Sequence, residues 1–171
     1  MHIATHGFFL KDVDKLTSEK VFGIQSEKAK DNPLLRSGLF LTGSAAAMEG
    51  QNTSELSSED DGILTAYEAM NLTLDQTDVV VLSACETGLG DVKSGEGVYG
   101  LQRAFFIAGS GAIVMSLWKV NDEATQQLMT KFYSEWVKTG NKLKAFRNAQ
   151  LALRQTMKDP YFWGAFVMIG A

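Results

Sequence analysis

The amino-acid sequence predicts an α/β fold with a mostly parallel central sheet. Two continuous apolar runs, at residues 79–82 and 112–117, are typical of strands that are covered on both faces. Segments with apolar residues at helical spacing separate these runs from each other and from a last strand-like run at 166–169. Strands that alternate with helices in this order favour a parallel sheet.

Three helices are predicted in the second half of the chain. The first ends at Gly109, the second is capped by Asn121 or Asp122 and ends at Gly140, and the third stops before Pro160. Their apolar stripes consist of Val98, Leu101, Phe105 and Ala108; of Ala124, Leu128, Phe132 and Trp136; and of Phe146, Ala149, Leu153 and Met157.

The middle of the chain is less regular. Residues 39–42 predict a short strand, and a capping-box pattern formed by Thr65 and Glu68 predicts a helix over 66–70. The segment 43–61 is rich in Ser, Ala, Gly and acidic residues, which predicts a long exposed loop. The glycine-rich segment from Gly88 to Gly97 is a second predicted loop.

The start of the chain is abrupt. Residues 1–5 predict a strand with no preceding element, and residues 8–31 predict mostly loop with some irregular strand. A central strand rarely begins a domain, so we expect an N-terminally incomplete domain or one completed by a partner. An uncovered sheet edge of this kind also favours self-association into a homo-oligomer.

Size and composition limit the functional classes. The 171 residues, 45% of them hydrophobic, fit a single domain over 1–171. A net charge of −4 does not suggest a nucleic-acid partner, and no apolar run has membrane-spanning length. Because the chain also opens without a secretory signal, we expect a cytoplasmic protein. One cysteine and no ligand cluster predict no disulfide, no metal and no other cofactor.

Cys85 and His6 are the candidate catalytic residues. Cys85 follows the apolar run at 79–82, and His6 follows the strand-like run at the start of the chain. If their strands are neighbours, the two side chains would lie side by side at the sheet edge, as a thiolate nucleophile and its base. A lone cysteine is otherwise often a small buried residue. His2, four residues before His6, is expected to be structural.

Two other enzyme classes fit the sequence poorly. Gly88 and Gly90 begin a dinucleotide-binding pattern, but Lys93 occupies the third glycine position. Gly90 and Gly95 have the spacing of a phosphate-binding loop, yet Glu96 stands where a lysine is required, and its charge would repel phosphate. The Gly-x-Ser-x-Gly pattern of serine hydrolases does not occur.

Four segments resemble a known family. Ala-Thr-His-Gly at 4–7, Leu-Ser-Ala-Cys-Glu-Thr-Gly at 82–88, Ser-Leu-Trp-Lys-Val-Asn-Asp at 116–122 and Trp-Gly-Ala-Phe-Val-Met-Ile-Gly at 163–170 occur in the order typical of the CHAT domain. CHAT domains are caspase-like and separase-like cysteine peptidases of bacteria, often attached to tetratricopeptide repeats. The resemblance extends over nearly the whole chain.

The resemblance implies a fold and an activity. The fold is a caspase-like three-layer sandwich, here without the strands and helices that usually precede the histidine strand. The activity is that of a cysteine endopeptidase acting on a protein or peptide substrate, with a tetratricopeptide-repeat segment as a possible regulatory partner. By resemblance His6 is the general base and acid, Cys85 is the nucleophile, and the backbone N–H groups of Gly7 and Cys85 form an oxyanion hole.

The resemblance also implies a specificity pocket. The segment from Trp118 to Asp122 would form its wall, and an acid at Asp122 would favour a basic residue before the cut bond. A helix N-cap explains Asp122 equally well. Glu86, directly after the nucleophile, is a candidate substrate contact or a solvated loop acid.

A non-catalytic role remains the main alternative. A caspase-like scaffold can recruit partners without cutting them, and the missing N-terminal portion is compatible with an inactive interaction module. Labelling of Cys85 by a peptide-derived electrophile in a His6-dependent way would distinguish the enzyme from the module.

Overall fold

The second half of the chain contains the strands and helices that its apolar pattern predicts, in the predicted order. The computed structural model describes residues 1–10, 19–22, 24–45, 61–83 and 96–170. The strands are β1 (His2–Ile3), β2 (His6–Phe9), β3 (Lys20–Val21), β4 (Ile24–Gln25), β5 (Ser37–Phe40), β6 (Ile63–Thr65), β7 (Val80–Leu82), β8 (Ala112–Ser116) and β9 (Phe166–Gly170). The helices are α1 (Ser26–Asp31), α2 (Ala66–Ala69), α3 (Glu96–Ile107), α4 (Asp122–Thr139), α5 (Lys142–Thr156) and α6 (Pro160–Trp163), with a 3₁₀ turn at Pro33–Leu35.

The main sheet has the strand order β1–β7–β8–β9. β7 pairs in parallel with both β1 and β8, whereas β9 pairs antiparallel with β8. The sheet is therefore partly parallel, and the predicted strands at 79–82, 112–117 and 166–169 are confirmed. β7 and β8 are buried along their whole length, which explains their continuous apolar sequence.

Helices pack on both faces of this sheet. Successive residues of a strand point to opposite faces, so each strand contributes to two separate cores. One core joins Val81, Val114 and Phe166 to α4 and α5, with Phe132 and Phe146 at its centre. The other core joins Val80, Leu82, Ile113 and Met115 to α2 and α3 through Ala66, Leu101 and Phe105.

A second sheet receives the chain directly after β1. Its order is β2–β5–β6, and all of its pairs are antiparallel. The predicted strand over residues 1–5 therefore extends too far at its end. β1 stops at Ile3, and His6 begins β2 in the other sheet. The hydroxyl of Thr5 donates to the Phe40 carbonyl, which holds the crossing chain against β5.

The segment 8–31 contains more regular structure than its polar composition predicts. β2 continues to Phe9, β3 and β4 pair antiparallel, and α1 ends at Asp31. The rings of Phe8, Phe22 and Phe40 contact one another with centroids 5.0 to 5.3 Å apart. These aromatic contacts stabilise elements that are too short to show a clear period in sequence.

Most of each predicted loop lies outside the described residues. This holds for 46–60 in the first loop and for 88–95 in the second. The second predicted loop extends too far at its end, because α3 already begins at Glu96. α3 ends close to Gly109, as predicted, and that glycine adopts a φ of +103°. A side chain there would also meet the Asp75 backbone at 2.8 Å, which favours glycine.

The capping residues follow the sequence patterns closely. The Thr65 hydroxyl accepts from the Glu68 backbone N–H at 3.2 Å, and the Glu68 carboxylate accepts from the Thr65 N–H at 2.8 Å, so the capping box is confirmed. Of the two candidate caps for α4, Asn121 takes the role. Its Oδ1 accepts from the Ala124 N–H at 3.0 Å, and Asp122 is the first residue of the helix proper.

We expect Asn121→Ala to lower the free energy of unfolding by about 1 kcal/mol, because one N–H of the first turn of α4 loses its acceptor. Urea titration measures this change. Asn121→Ser, which keeps a good capping oxygen, should retain nearly all of the stability. An Ala variant as stable as the wild type would contradict the assignment of the cap.

Candidate functional site

The parallel pairing of β1 with β7 brings together Ile3 and Ser83, the residues that precede the two predicted catalytic segments. Ile3 is in register with Leu82, and the Ser83 N–H donates to the Ile3 carbonyl at 3.0 Å. His6 follows Ile3 by three residues. Cys85 and Glu86 lie outside the described residues.

A cleft of ≈ 640 Å³ opens beside these paired strands. One wall is the chain from His2 to His6 together with Ser83, and the other is α4 with the residues that lead into it. The lining consists of His2, Ala4, Thr5, His6, Ser83, Val120, Asp122, Thr125, Gln126, Met129, Thr130 and Tyr133. The cleft thus combines one carboxylate, two imidazoles and several hydroxyls with the apolar side chains of Ala4, Val120 and Met129.

His6 and Asp122 both line this cleft. His6 is the exposed first residue of β2, where its backbone is held in register with Phe40. Asp122 is exposed at the N-terminus of α4, where the helix dipole favours a negative charge. Because Asn121 caps the helix, the Asp122 carboxylate is free to face the cleft.

The Trp118 side chain does not line this cleft, although the segment from Trp118 to Asp122 is predicted to form a pocket wall. Its indole N–H donates to the Tyr161 carbonyl at 3.1 Å, and its ring stacks on that of Tyr161 with centroids 6.5 Å apart. The side chain therefore packs against α6 and not along the cleft. Val120, two residues later, takes the place on the cleft wall.

The backbone N–H of Gly7 points away from the neighbouring strand. The Leu10 N–H donates to the Arg36 carbonyl at 2.7 Å, and antiparallel hydrogen bonds recur at every second residue. His6 and Phe8 therefore form the hydrogen-bonded pairs with β5, and Gly7, in register with Leu39, does not. Its amide is directed to the side of β2 opposite β5.

His2 is part of the site, although the sequence suggests a structural residue away from it. Its Nε2 lies 3.0 Å from the Ser83 hydroxyl oxygen, and its Nδ1 lies 3.1 Å from the Tyr133 hydroxyl oxygen. Burial, and to a smaller extent the nearby amino-terminal charge, lowers the pKa of His2. Burial likewise raises the pKa of Tyr133. No local sequence pattern identifies this contact, because its partners come from distant parts of the chain.

Grouped metal ligands and membrane-spanning helices are both absent from the described ranges. Within them, no three His, Cys, Asp or Glu side chains are grouped closely enough to hold a metal ion. None of the helices in the described ranges combines the length and hydrophobicity needed to span a lipid bilayer.

Comparison with known proteins identifies the family. Tetratricopeptide repeat protein 28 of Homo sapiens is 30% identical over 128 residues, which cover 73% of this chain and 5% of that protein. The protein of the same name from Mus musculus is 31% identical over 112 residues, which cover 64% of this chain and 4% of that protein. The chain thus spans only a small part of these relatives. A family model described as CHAT domain matches residues 1–171, and the chain therefore belongs to the CHAT domain family, as its motifs predict.

Proposed function

We propose that this chain is a cysteine endopeptidase that cleaves a protein or peptide substrate through His6 and Cys85. The CHAT family is related to caspase-like cysteine peptidases. The observation that carries the proposal is the register of β1 with β7, which pairs the strands that precede the two proposed catalytic residues. His6 also opens into a cleft large enough for several side chains of a peptide.

The proposed reaction has two halves. The Cys85 sulfur attacks the carbonyl carbon of the scissile bond while His6 takes the thiol proton. The C–N bond then breaks, His6 gives that proton to the leaving amine, and a thioester remains on Cys85. Water attacks the thioester with His6 as its base, which releases the new carboxylate and restores the thiol.

Backbone amides would stabilise the oxyanion of both tetrahedral intermediates. We assign this role to the N–H groups of Gly7 and Cys85. The support for Gly7 is its place in the β2 register, which leaves its N–H outside the ladder with β5. One such donor is typically worth about 3 kcal/mol of transition-state stabilisation.

Asp122 is the proposed specificity residue. Its carboxylate lines the same cleft as His6, and the N-cap role belongs to Asn121. A guanidinium or ammonium group that enters the cleft would pair with it, so we propose a basic residue before the cut bond. Glu86 remains a proposed substrate contact. Trp118 would act only indirectly, through the segment that leads to Val120.

The proposal extends to the fold of the whole domain and to its partners. Helices on both faces of the main sheet support a caspase-like three-layer arrangement of the whole domain. The curated relatives are named tetratricopeptide repeat proteins, and we propose that such repeats accompany or regulate this domain. In the alternative, a non-catalytic interaction module, the cleft would bind a partner peptide without cutting it.

We expect Cys85→Ala to reduce cleavage of a peptide library to background while leaving the circular dichroism spectrum unchanged. The substitution removes the sulfur nucleophile and little volume. If the variant cleaves at the wild-type rate, Cys85 is not the nucleophile. If neither protein cleaves any peptide and both bind the same peptides, the interaction module is the better assignment.

We expect His6→Ala to slow alkylation of Cys85 by iodoacetamide at pH 7 by roughly tenfold, because a neighbouring imidazole favours the thiolate. Cys85 is the only cysteine, so mass spectrometry of the intact chain reports on it alone. The control is alkylation in urea, where both chains should react at one rate. Identical rates in the folded proteins would show that the two residues are not coupled.

We expect Asp122→Asn to lower kcat/KM for peptides with Arg before the cut bond by about tenfold, because a charged pair is lost. Peptides with Leu at that position should be unaffected. The matched control is Glu123→Gln, since Glu123 lies on the same helical turn, bonds Gln127 at 3.2 Å and does not line the cleft. An Asn variant that still prefers Arg would exclude the pocket role.

A further inference from the structure

His2 links three elements that meet at the cleft. It lies on β1, its Nε2 contacts the hydroxyl of Ser83 at the end of β7, and its Nδ1 contacts the hydroxyl of Tyr133 on α4. The His2 and Tyr133 rings are also in contact, with centroids 5.9 Å apart and planes tilted by 37°. All three side chains line the cleft.

The Tyr133 contact joins opposite walls of the cleft, and the Ser83 contact ties His2 to the end of β7 within one wall. Ser83 belongs to the wall at the sheet edge, and Tyr133 belongs to α4, the helix that carries Asp122. A neutral imidazole has one donor and one acceptor nitrogen, and each hydroxyl can take either role. Both hydrogen bonds therefore form with either tautomer, and the link does not depend on which nitrogen carries the proton.

Ser83 is held at two points. Its backbone N–H donates to the Ile3 carbonyl at 3.0 Å, and its hydroxyl contacts His2, so both partners lie on β1. The backbone contact keeps the strands paired. The side-chain contact also fixes the orientation of the Ser83 side chain, which the strand pairing alone does not determine. Ser83 is the last described residue before the segment that leads to Cys85.

We propose that His2 is a positioning residue, which ties Ser83 to Tyr133 and thereby sets the separation and orientation of the two cleft walls. This inference rests on the proposed peptidase function. His2 takes no part in proton transfer: its role is to hold the peptide-binding wall on α4 against the wall that leads to the nucleophile. A displacement of about 1 Å in such an arrangement can reduce a rate by up to about a hundredfold.

Three substitutions of His2 separate its contacts. His2→Phe keeps a planar ring but loses both hydrogen bonds. His2→Gln places an amide at the position of Nε2 and can keep the Ser83 contact, whereas His2→Asn places one near Nδ1 and can keep the Tyr133 contact. Since Ser83 leads to the nucleophile, Gln should restore more function than Asn.

The readout compares two reagents on Cys85, which is the only cysteine. A peptidyl chloromethyl ketone must occupy the cleft before it reacts, whereas iodoacetamide needs only an accessible thiolate. We expect His2→Phe to slow labelling by the peptidyl reagent about tenfold and labelling by iodoacetamide less than about threefold. His2→Gln, which keeps one of the two hydrogen bonds, should label with the peptidyl reagent at a rate between those of the wild type and His2→Phe. Loss of folding would change both rates together.

Single-hydroxyl variants keep the proposal testable if His2→Phe does not fold, as judged by thermal unfolding. Ser83→Ala and Tyr133→Phe should each slow the peptidyl reagent selectively. Their matched controls are Ser110→Ala, which loses a hydroxyl bonded to the Ala112 carbonyl at 2.8 Å, and Tyr67→Phe on α2. Neither residue lines the cleft, so both controls should label at the wild-type rate.

The outcomes separate the two proposals. If the folded wild type reacts with the peptidyl reagent no faster than the His6→Ala variant does, the proposed function fails. If the wild type is His6-dependent but His2→Phe, Ser83→Ala and Tyr133→Phe all label at its rate, the positioning role is overturned while the dyad stands. Equal slow labelling of His2→Gln and His2→Phe would also overturn it, because the Ser83 contact would then contribute nothing.

Discussion

The site depends on the pairing of two segments that are distant in sequence, β1 and β7. The Val81 N–H donates to the Met1 carbonyl at 2.9 Å, and the Ser83 N–H donates to the Ile3 carbonyl at 3.0 Å. Helices bury β7 on both faces, so packing in the two cores determines its position. The hydrogen bonds between β1 and β7 then determine the position of β1. A one-residue slip would turn every side chain of β1 to the other face.

The start of α4 shows how the choice of one capping residue leaves a carboxylate at the proposed specificity pocket. Two adjacent residues, Asn121 and Asp122, are both good N-caps, and only one can cap the helix. Asn121 takes the cap because the chain is extended there, with φ of −87° and ψ of 130°. Asp122 then lies in the first turn, where the helix dipole stabilises its negative charge. Its side chain is not the N-cap.

The elements with a clear period could be predicted from the sequence, and the short ones could not. The buried strands β7 and β8, the stripes of α3 to α5 and the Thr65–Glu68 capping box are all local patterns. The transfer of the chain between sheets after Ile3 is not, because it depends on contacts with Phe40. Likewise, His6 could be singled out from its motif, whereas the bonds of His2 depend on strand register and helix position.

The charge distribution in the cleft explains why a neutral His2 suits the proposed substrate. At neutral pH, Asp122 is the only carboxylate among the described lining residues, and the remaining polar groups there are hydroxyls, an amide and the two imidazoles. A protonated His2 would add a positive charge that opposes a cationic side chain. Burial disfavours this protonation and lowers the pKa of His2, so its charge appears only at a lower pH than for a solvated histidine. The burial of His2 thereby widens the pH range over which a basic residue could pair with Asp122 without opposition from a charged His2.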